Sequence, residues 1–200
     1  MGGQPARMNR GSSVATVAET GAPEGCYDRR TILLHWVTAA LVGLLWGIGQ
    51  VIDLFPKGAP KIAVRSVHIV LGLVLGLILL MRIVWRNRSG RRLPPANHGL
   101  MGYFARIVHI GLYVGVALVV LLGITNAWAR GDSLFGLLRI PKLYPDIPHL
   151  KPTVENLHAT FANALMILAA GHALVALVHH FILRDGVLRR MLPRQNANDA

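Results

Sequence analysis

The sequence predicts an all-α fold, a transmembrane four-helix bundle, and three observations predict it. Four apolar stretches, Thr31 to Ile52, Ser66 to Trp85, Phe104 to Trp128 and Glu155 to Leu183, are each long enough to cross a hydrocarbon core about 30 Å thick. The 200 residues are 53% hydrophobic and only 15% charged, the composition of a single-domain integral membrane protein. Lys and Arg alternate between loops. The N-terminal tail, the second loop and the C-terminal tail hold fourteen of them, and the first and third loops hold seven. The richer set is expected to be cytoplasmic, so both termini share that compartment. Helices 1 and 3 then run outward, and helices 2 and 4 run inward. The second loop carries the clearest signal, with Arg82, Arg86, Arg88, Arg91, Arg92 and Arg106 and no acid among them.

Each segment has its own justification. Residues 1–26 contain Gly, Ser, Ala and Pro without an apolar run, which reads as a disordered cytoplasmic tail rather than a secretory signal. Residue 6 is neither Ser nor Thr, so Met1-Gly2 does not support myristoylation. Residues 27–193 form the membrane domain, and 194–200 a second cytoplasmic tail. Helix 1 opens near the cytoplasm with His35 and carries Gly43 and Gly47, a spacing that ordinary small-residue helix packing explains. Helix 2 opens near the outer surface with His68, followed by Gly72 and Gly76. Helix 3 has His109 toward its inner end. The connection from Ala129 to Val154 is rich in Pro and basic residues and is expected to cap the outer face, with a short interfacial helix over Leu134 to Leu138. His98 and His149 fall in loops and are expected to be solvated. Helix 4 carries His158 and His172.

Those last two residues give the strongest chemical signal. Fourteen helical residues rise about 21 Å and turn through about 1400°, so the two imidazoles share one face within about 40°. A histidine buried in hydrocarbon is costly, and ligation, proton transfer or redox chemistry is the usual reason for keeping it. One helix offering a ligand near each side of a bilayer points to haem. Depth then pairs the histidines. His68 and His158 lie near the outer surface, and His35 and His172 near the inner one. Each pair would give a bis-histidine low-spin iron, suited to moving electrons. For any single residue the alternative is an imidazole hydrogen-bonded to a neighbouring helix, an explanation that weakens when four fall at two matched depths. Gly72, Gly76, Gly171, Ala173 and Ala176 remove bulk beside the histidine faces, although helix packing alone would also account for them.

Cys26 is the only cysteine, which excludes a disulfide framework, a thiolate iron–sulfur site and a Cys-x-x-Cys-His haem attachment. Any haem must be held by ligation and packing. The formal charge of +12 would suggest nucleic acid in a soluble protein. Here most of it is arginine beside helix ends, which sets topology and meets anionic membrane lipid, so no nucleic-acid partner is expected.

Tyr27, Arg29, His35-Trp36, His68 with Gly72, Leu157-His158 with Ala162-Asn163, Gly171-His172, and His179-His180 ahead of Arg184-Asp185 together resemble the bacterial cytochrome b561 family. The likeness runs from about Tyr27 to Pro193 and is narrowest to the short four-helix members, whose best-understood activity is superoxide oxidase. It implies a bacterial inner-membrane protein with two non-covalent b haems, ligands carried to His35, His68, His158 and His172, and electron exchange with ubiquinone. It is less specific for the electron donor, because related cytochromes serve hydrogenases and other dehydrogenases as quinone-reducing subunits.

Four further groups carry expectations. His179 continues the His158 and His172 face about 10 Å beyond His172, where an imidazole can hydrogen-bond a quinone carbonyl and pass it a proton. Arg184 could add positive potential there, although an interfacial anchor or a haem-propionate contact would also suit this end of the helix. His109 reads as a contact around the inner haem rather than a ligand. Arg29, Arg30, Arg82 and Arg106 are candidate cytoplasmic propionate partners, a topogenic role being the alternative. On the outer face Lys57, Lys61, Arg65, Arg130, Arg139, Lys142 and Lys151 oppose Asp53, Asp132, Asp146 and Glu155, a net +3. Such a mouth, with Arg130, Arg139 and Lys142 as its candidate steering residues, would draw a small anion such as superoxide inward. The rival functions are an electron-transfer subunit with a protein donor and a cofactor-free transporter or membrane scaffold.

Overall fold

A computed structural model of the chain describes residues 25–94, 99–142 and 147–192. The expected tail conformations, and the readings of His98 and Asp146, lie outside those residues. The fold is the one expected from hydropathy: four helices, α1 Arg29–Val51, α2 Ala59–Arg88, α3 Gly99–Arg130 and α4 Leu150–Val178, all long and apolar enough to cross a membrane. Each begins before its predicted apolar limit, and α2 and α3 also run past the far one. Lys61, Arg65, Arg86, Arg88 and Arg130 stay helical in the structure, because a long basic side chain can reach the interface while its backbone continues the helical ladder.

Successive helices pack side by side, and α4 closes back on α1 along the narrowest seam of the bundle. Leu45, Leu75, Leu79, Val116 and Leu165 form the buried centre. Small residues let α3 and α4 approach. A β-carbon at Gly115 would lie 3.0 Å from Leu165, and one at Gly111 3.2 Å from Leu168. Large apolar side chains such as Leu77, Leu80, Ile110, Leu121, Ile167 and Leu174 stand outward, which is the pattern of a lipid-facing surface.

Both ends of the described chain meet at one end of the bundle. The Tyr27 N–H donates to the Arg190 carbonyl (3.1 Å), and Trp36 Nε1 donates to the Met191 carbonyl (2.7 Å). Asp28 is the hub here. Its carboxylate caps α1 by accepting from the Thr31 N–H (2.9 Å) and hydroxyl (2.7 Å), and it also accepts from Trp85 Nε1 (2.8 Å) and the Arg91 N–H (3.1 Å). Burial opposes its ionisation, but the bonds from Thr31, Trp85 and Arg91 outweigh that and hold the carboxyl below the usual carboxylate range. Asp28→Ala removes the cap and the tie between α1 and α2. A loss of about 1–2 kcal/mol is expected, seen as a lower thermal midpoint in detergent. A depressed folded pKa means that this contribution is present above the unfolded value and fades as pH falls through the folded one.

The other end carries the one correction to the predicted elements. Leu134 to Leu138 is not an interfacial helix but the centre of a small hairpin, β1 Ser133–Leu134 and β2 Leu138–Arg139. Ser133 stands opposite Arg139, and Leu134 opposite Leu138. The turn places Phe135 at φ 53° and Gly136 at φ 75°, left-handed values that no α-helix of L-residues sustains. Ser66, fully buried in α2, fixes it from below. Its hydroxyl oxygen accepts the Phe135 N–H (2.8 Å) while its proton goes to the Ile62 carbonyl (2.7 Å).

Candidate functional site

The bundle brings the histidines together at two levels. His68 of α2 and His158 of α4 lie with ring centres 6.1 Å apart near the hairpin end, and His35 of α1 and His172 of α4 lie 6.4 Å apart near the terminal end. Leu165 of the central apolar layer stands seven residues from each α4 histidine, so hydrocarbon separates the levels. An imidazole nitrogen binds a transition-metal ion at about 2 Å, which sets the ring centres of two axial imidazoles across one ion roughly 6 Å apart. Both pairs have that spacing.

At the hairpin end the fit to a flat cofactor rests on three observations. A cavity of about 250 Å³ opens beside the rings and is lined by Gly49, Gly72, Gly123, Ala159 and Ala162 among others. His158 Nδ1 donates to the Val119 carbonyl (3.1 Å), which orients the ring and leaves Nε2 its lone pair for a metal. Arg65 Nε and Asn126 Oδ1, both on the cavity wall, are buried without a hydrogen-bond partner among the described residues, and a guanidinium of that kind suits a haem carboxylate.

Gly49 and Gly123 are the residues here that sequence reasoning missed. A β-carbon at Gly123 would come within 3.1 Å of the His158 ring, and one at Gly49 within 3.7 Å of the His68 ring. Their signal was glycine at histidine depth on a facing helix. Gly72 lines the cavity with open space beside it, whereas Gly76 packs under Val120.

The inner level holds three histidines. His109 lies 5.1 Å from His172, ring centre to ring centre, about an ångström too close for two imidazoles on opposite sides of one ion. Its Nδ1 donates to the Ala105 carbonyl (2.6 Å). Arg82 donates from Nη2 to His35 Nδ1 (3.0 Å) and lies over the Tyr113 ring, so it is the one predicted propionate partner that touches the histidine cluster; an accepting Nδ1 puts the proton of a neutral imidazole on Nε2, so His35 would exchange this bond for a metal held at Nε2. Arg30 lies instead over Trp85.

Beyond His172, α4 ends in one widened turn, His179–Leu183, closed by the Arg184 N–H to the His179 carbonyl. His179 is 6% exposed, and its Nδ1 is hydrogen-bonded to the Asp185 carboxylate. Arg184 is exposed, with a left-handed φ of 54° that reverses the chain and carries Asp185 back onto His179. The acid beside His179, not the neighbouring base, is its partner.

Four of the seven predicted outer cations line one cavity, and three of those four are paired with acids. Arg130 pairs with Glu155 (2.9 Å) and Asp132 (3.8 Å), Arg65 with Asp132 (3.3 Å) and Lys61 with Asp53 (2.8 Å). With Lys151 these residues line a polar cavity of about 290 Å³, four basic side chains against three acidic ones. Burial raises the Asp132 carboxyl above its ordinary value against the opposing pull of Arg130 and Arg65. Arg139 and Lys142 are exposed outside this cavity, on β2 and the segment after it.

The chain is similar to several known proteins. The profile of the family described as prokaryotic cytochrome b561 matches residues 26–194. The chain is 30% identical over 173 residues to cytochrome b561 homolog 1 of Escherichia coli K12, covering 84% of this chain and 98% of that protein. It is 26% identical over 174 residues to a probable superoxide oxidase, CybB, of Yersinia pestis, covering 84% and 97%. It is 29% identical over 177 residues to cytochrome b562 of Cereibacter sphaeroides, covering 83% and 94%.

Proposed function

The chain belongs to the prokaryotic cytochrome b561 family, membrane electron-transfer proteins that bind b-type haem, and from that premise we propose that it is a superoxide:ubiquinone oxidoreductase of the bacterial inner membrane. The observation that carries the reading is the pair of stacked histidine couples, His68 with His158 and His35 with His172, each at a spacing at which two imidazoles would hold one metal ion between them. Two haems held there would span the membrane with one-electron chemistry. Both termini are cytoplasmic in this reading, so the hairpin end faces outward. Two superoxide anions each give up one electron there and leave as dioxygen. Near His179, ubiquinone takes the two electrons and two cytoplasmic protons and leaves as ubiquinol. The outer step needs no acid, base or nucleophile. The chain contributes ligand placement, exclusion of water by the leucine layer and a basic surface that attracts an anion. Similarity to the probable superoxide oxidase of Yersinia pestis supports this choice of donor.

A second reading has one observation in its favour. Most cations around the outer cavity are already paired with acids, while Arg139 and Lys142 stand exposed on the hairpin side, a surface that a protein electron donor could use. Stopped-flow mixing of superoxide with the haem-loaded protein in detergent separates the two. An autonomous oxidase is reduced without any partner. Reversing Arg139 and Lys142 to acids, and Arg130 in a further variant, should slow that reduction about ten-fold at low ionic strength and flatten its salt dependence, with haem content unchanged. Reduction that is slow in the native protein and indifferent to these charges would favour the electron-transfer-subunit reading.

A further inference from the structure

We propose that Asp185 is the positioning residue for His179 in quinone reduction, holding the imidazole so that its far nitrogen is the proton donor to the quinone; this rests on the quinone role of His179 given above. The geometry carries it. His179 is buried at the end of α4, and the acid that meets it arrives only because the widened turn and the left-handed Arg184 fold the chain back by six residues. Such π turns are rare and are frequently found at functional sites. The arrangement is also braced, since the other carboxylate oxygen of Asp185 accepts the Val187 N–H (3.1 Å) and its own N–H reaches the His179 carbonyl (3.4 Å). A carboxylate held in this way can only accept, so it fixes the His179 proton at Nδ1. Nε2 is then directed away from Asp185, and the carboxylate stabilises the imidazolium formed when Nε2 is protonated.

The chemistry balances. Ubiquinone takes two electrons through the protein and two protons, and each proton delivered by this route leaves His179 Nε2 for a quinone oxygen. The neutral imidazole stays bound to Asp185 through its Nδ1–H and is reprotonated at Nε2 from the cytoplasm. The side chain of Asp185 is about one-third exposed, against 8% for that of His179, so the dyad runs from solvent to a buried donor.

The haem-loaded protein is reduced with limiting dithionite without oxygen and mixed with a short-chain ubiquinone, and reoxidation is followed in the α band. Asp185→Asn should slow reoxidation on the order of ten-fold or more, with the reduced spectrum and haem content unchanged. Asp185→Glu, which keeps the carboxylate, should recover most of the rate. A His179→Gln and Asp185→Asn double variant should be no slower than His179→Gln alone, because both lesions lie on one path. If His179→Gln is slow but Asp185→Asn reoxidises at the native rate, the role of Asp185 is refuted while the quinone reading of His179 stands. A double variant slowed by the product of the single effects also refutes it. Native reoxidation in His179→Gln overturns the quinone reading itself.

Discussion

A His158→Ala protein is expected to hold one haem in place of two, losing about half its haem while the remaining spectral component keeps its native position. The same outcome is expected for His68→Ala, because the two rings share one level of the bundle. His35→Ala and His172→Ala should remove the other component, since the central leucine layer keeps the levels from sharing a cofactor. His109→Ala is the informative contrast. Its ring is close to His172 but too near to be the opposite ligand, so both haems should remain, with a shift in the midpoint potential of one. Haem per polypeptide and reduced-minus-oxidised spectra of the purified variants check all five. Full haem content in the four ligand variants would contradict the assignment, and loss of a haem on replacing His109 would move the inner ligand from His35 to His109.

Gly123→Leu should abolish the haem near the hairpin end without touching the inner one. The β-carbon alone would lie 3.1 Å from the His158 ring, and that ring is tied to the carbonyl of Val119, one turn before Gly123 on α3, so it has little freedom to withdraw. The larger side chain must enter the cavity or part α3 from α4. Overpacking of this kind costs about 1–3 kcal/mol, and here it falls on the cofactor site. Gly43→Ala is the control, because nothing lies within 4 Å of its β-carbon; its haem content and thermal midpoint should match the native protein. Equal haem loss in both variants would mean that the effect is general to glycine replacement.

Much of the fold was legible because the membrane makes hydropathy decisive: a stretch such as Phe104 to Trp128 has few alternatives to a spanning helix. The helix ends were not, because Arg86, Arg88 and Arg130 break the apolar pattern without breaking the backbone ladder. The hairpin was read as a helix because Leu134, Leu137 and Leu138 look amphipathic. Its conformation depends instead on Gly136 and on Ser66 in another helix, a long-range bond that no local pattern reveals. The juxtaposition of His35 with His172 and of His68 with His158 followed from depth alone, since alternating helix directions fix which ends are neighbours. Other parts of the site needed side-chain geometry. Gly123 reads as packing until its partner is known to be His158, and the nearness of His109 to His172 depends on helix rotation as well as depth. Asp185 reaches His179 only through a turn that departs from helical spacing.

The haem stoichiometry and spin state of the purified protein report whether two b haems sit on the two histidine couples. Two non-covalent haems per chain are expected, both six-coordinate and low-spin, reducible and with two resolvable midpoints in a redox titration. A single haem per chain, a high-spin iron, or a protein with no reducible Soret and α bands would contradict that expectation.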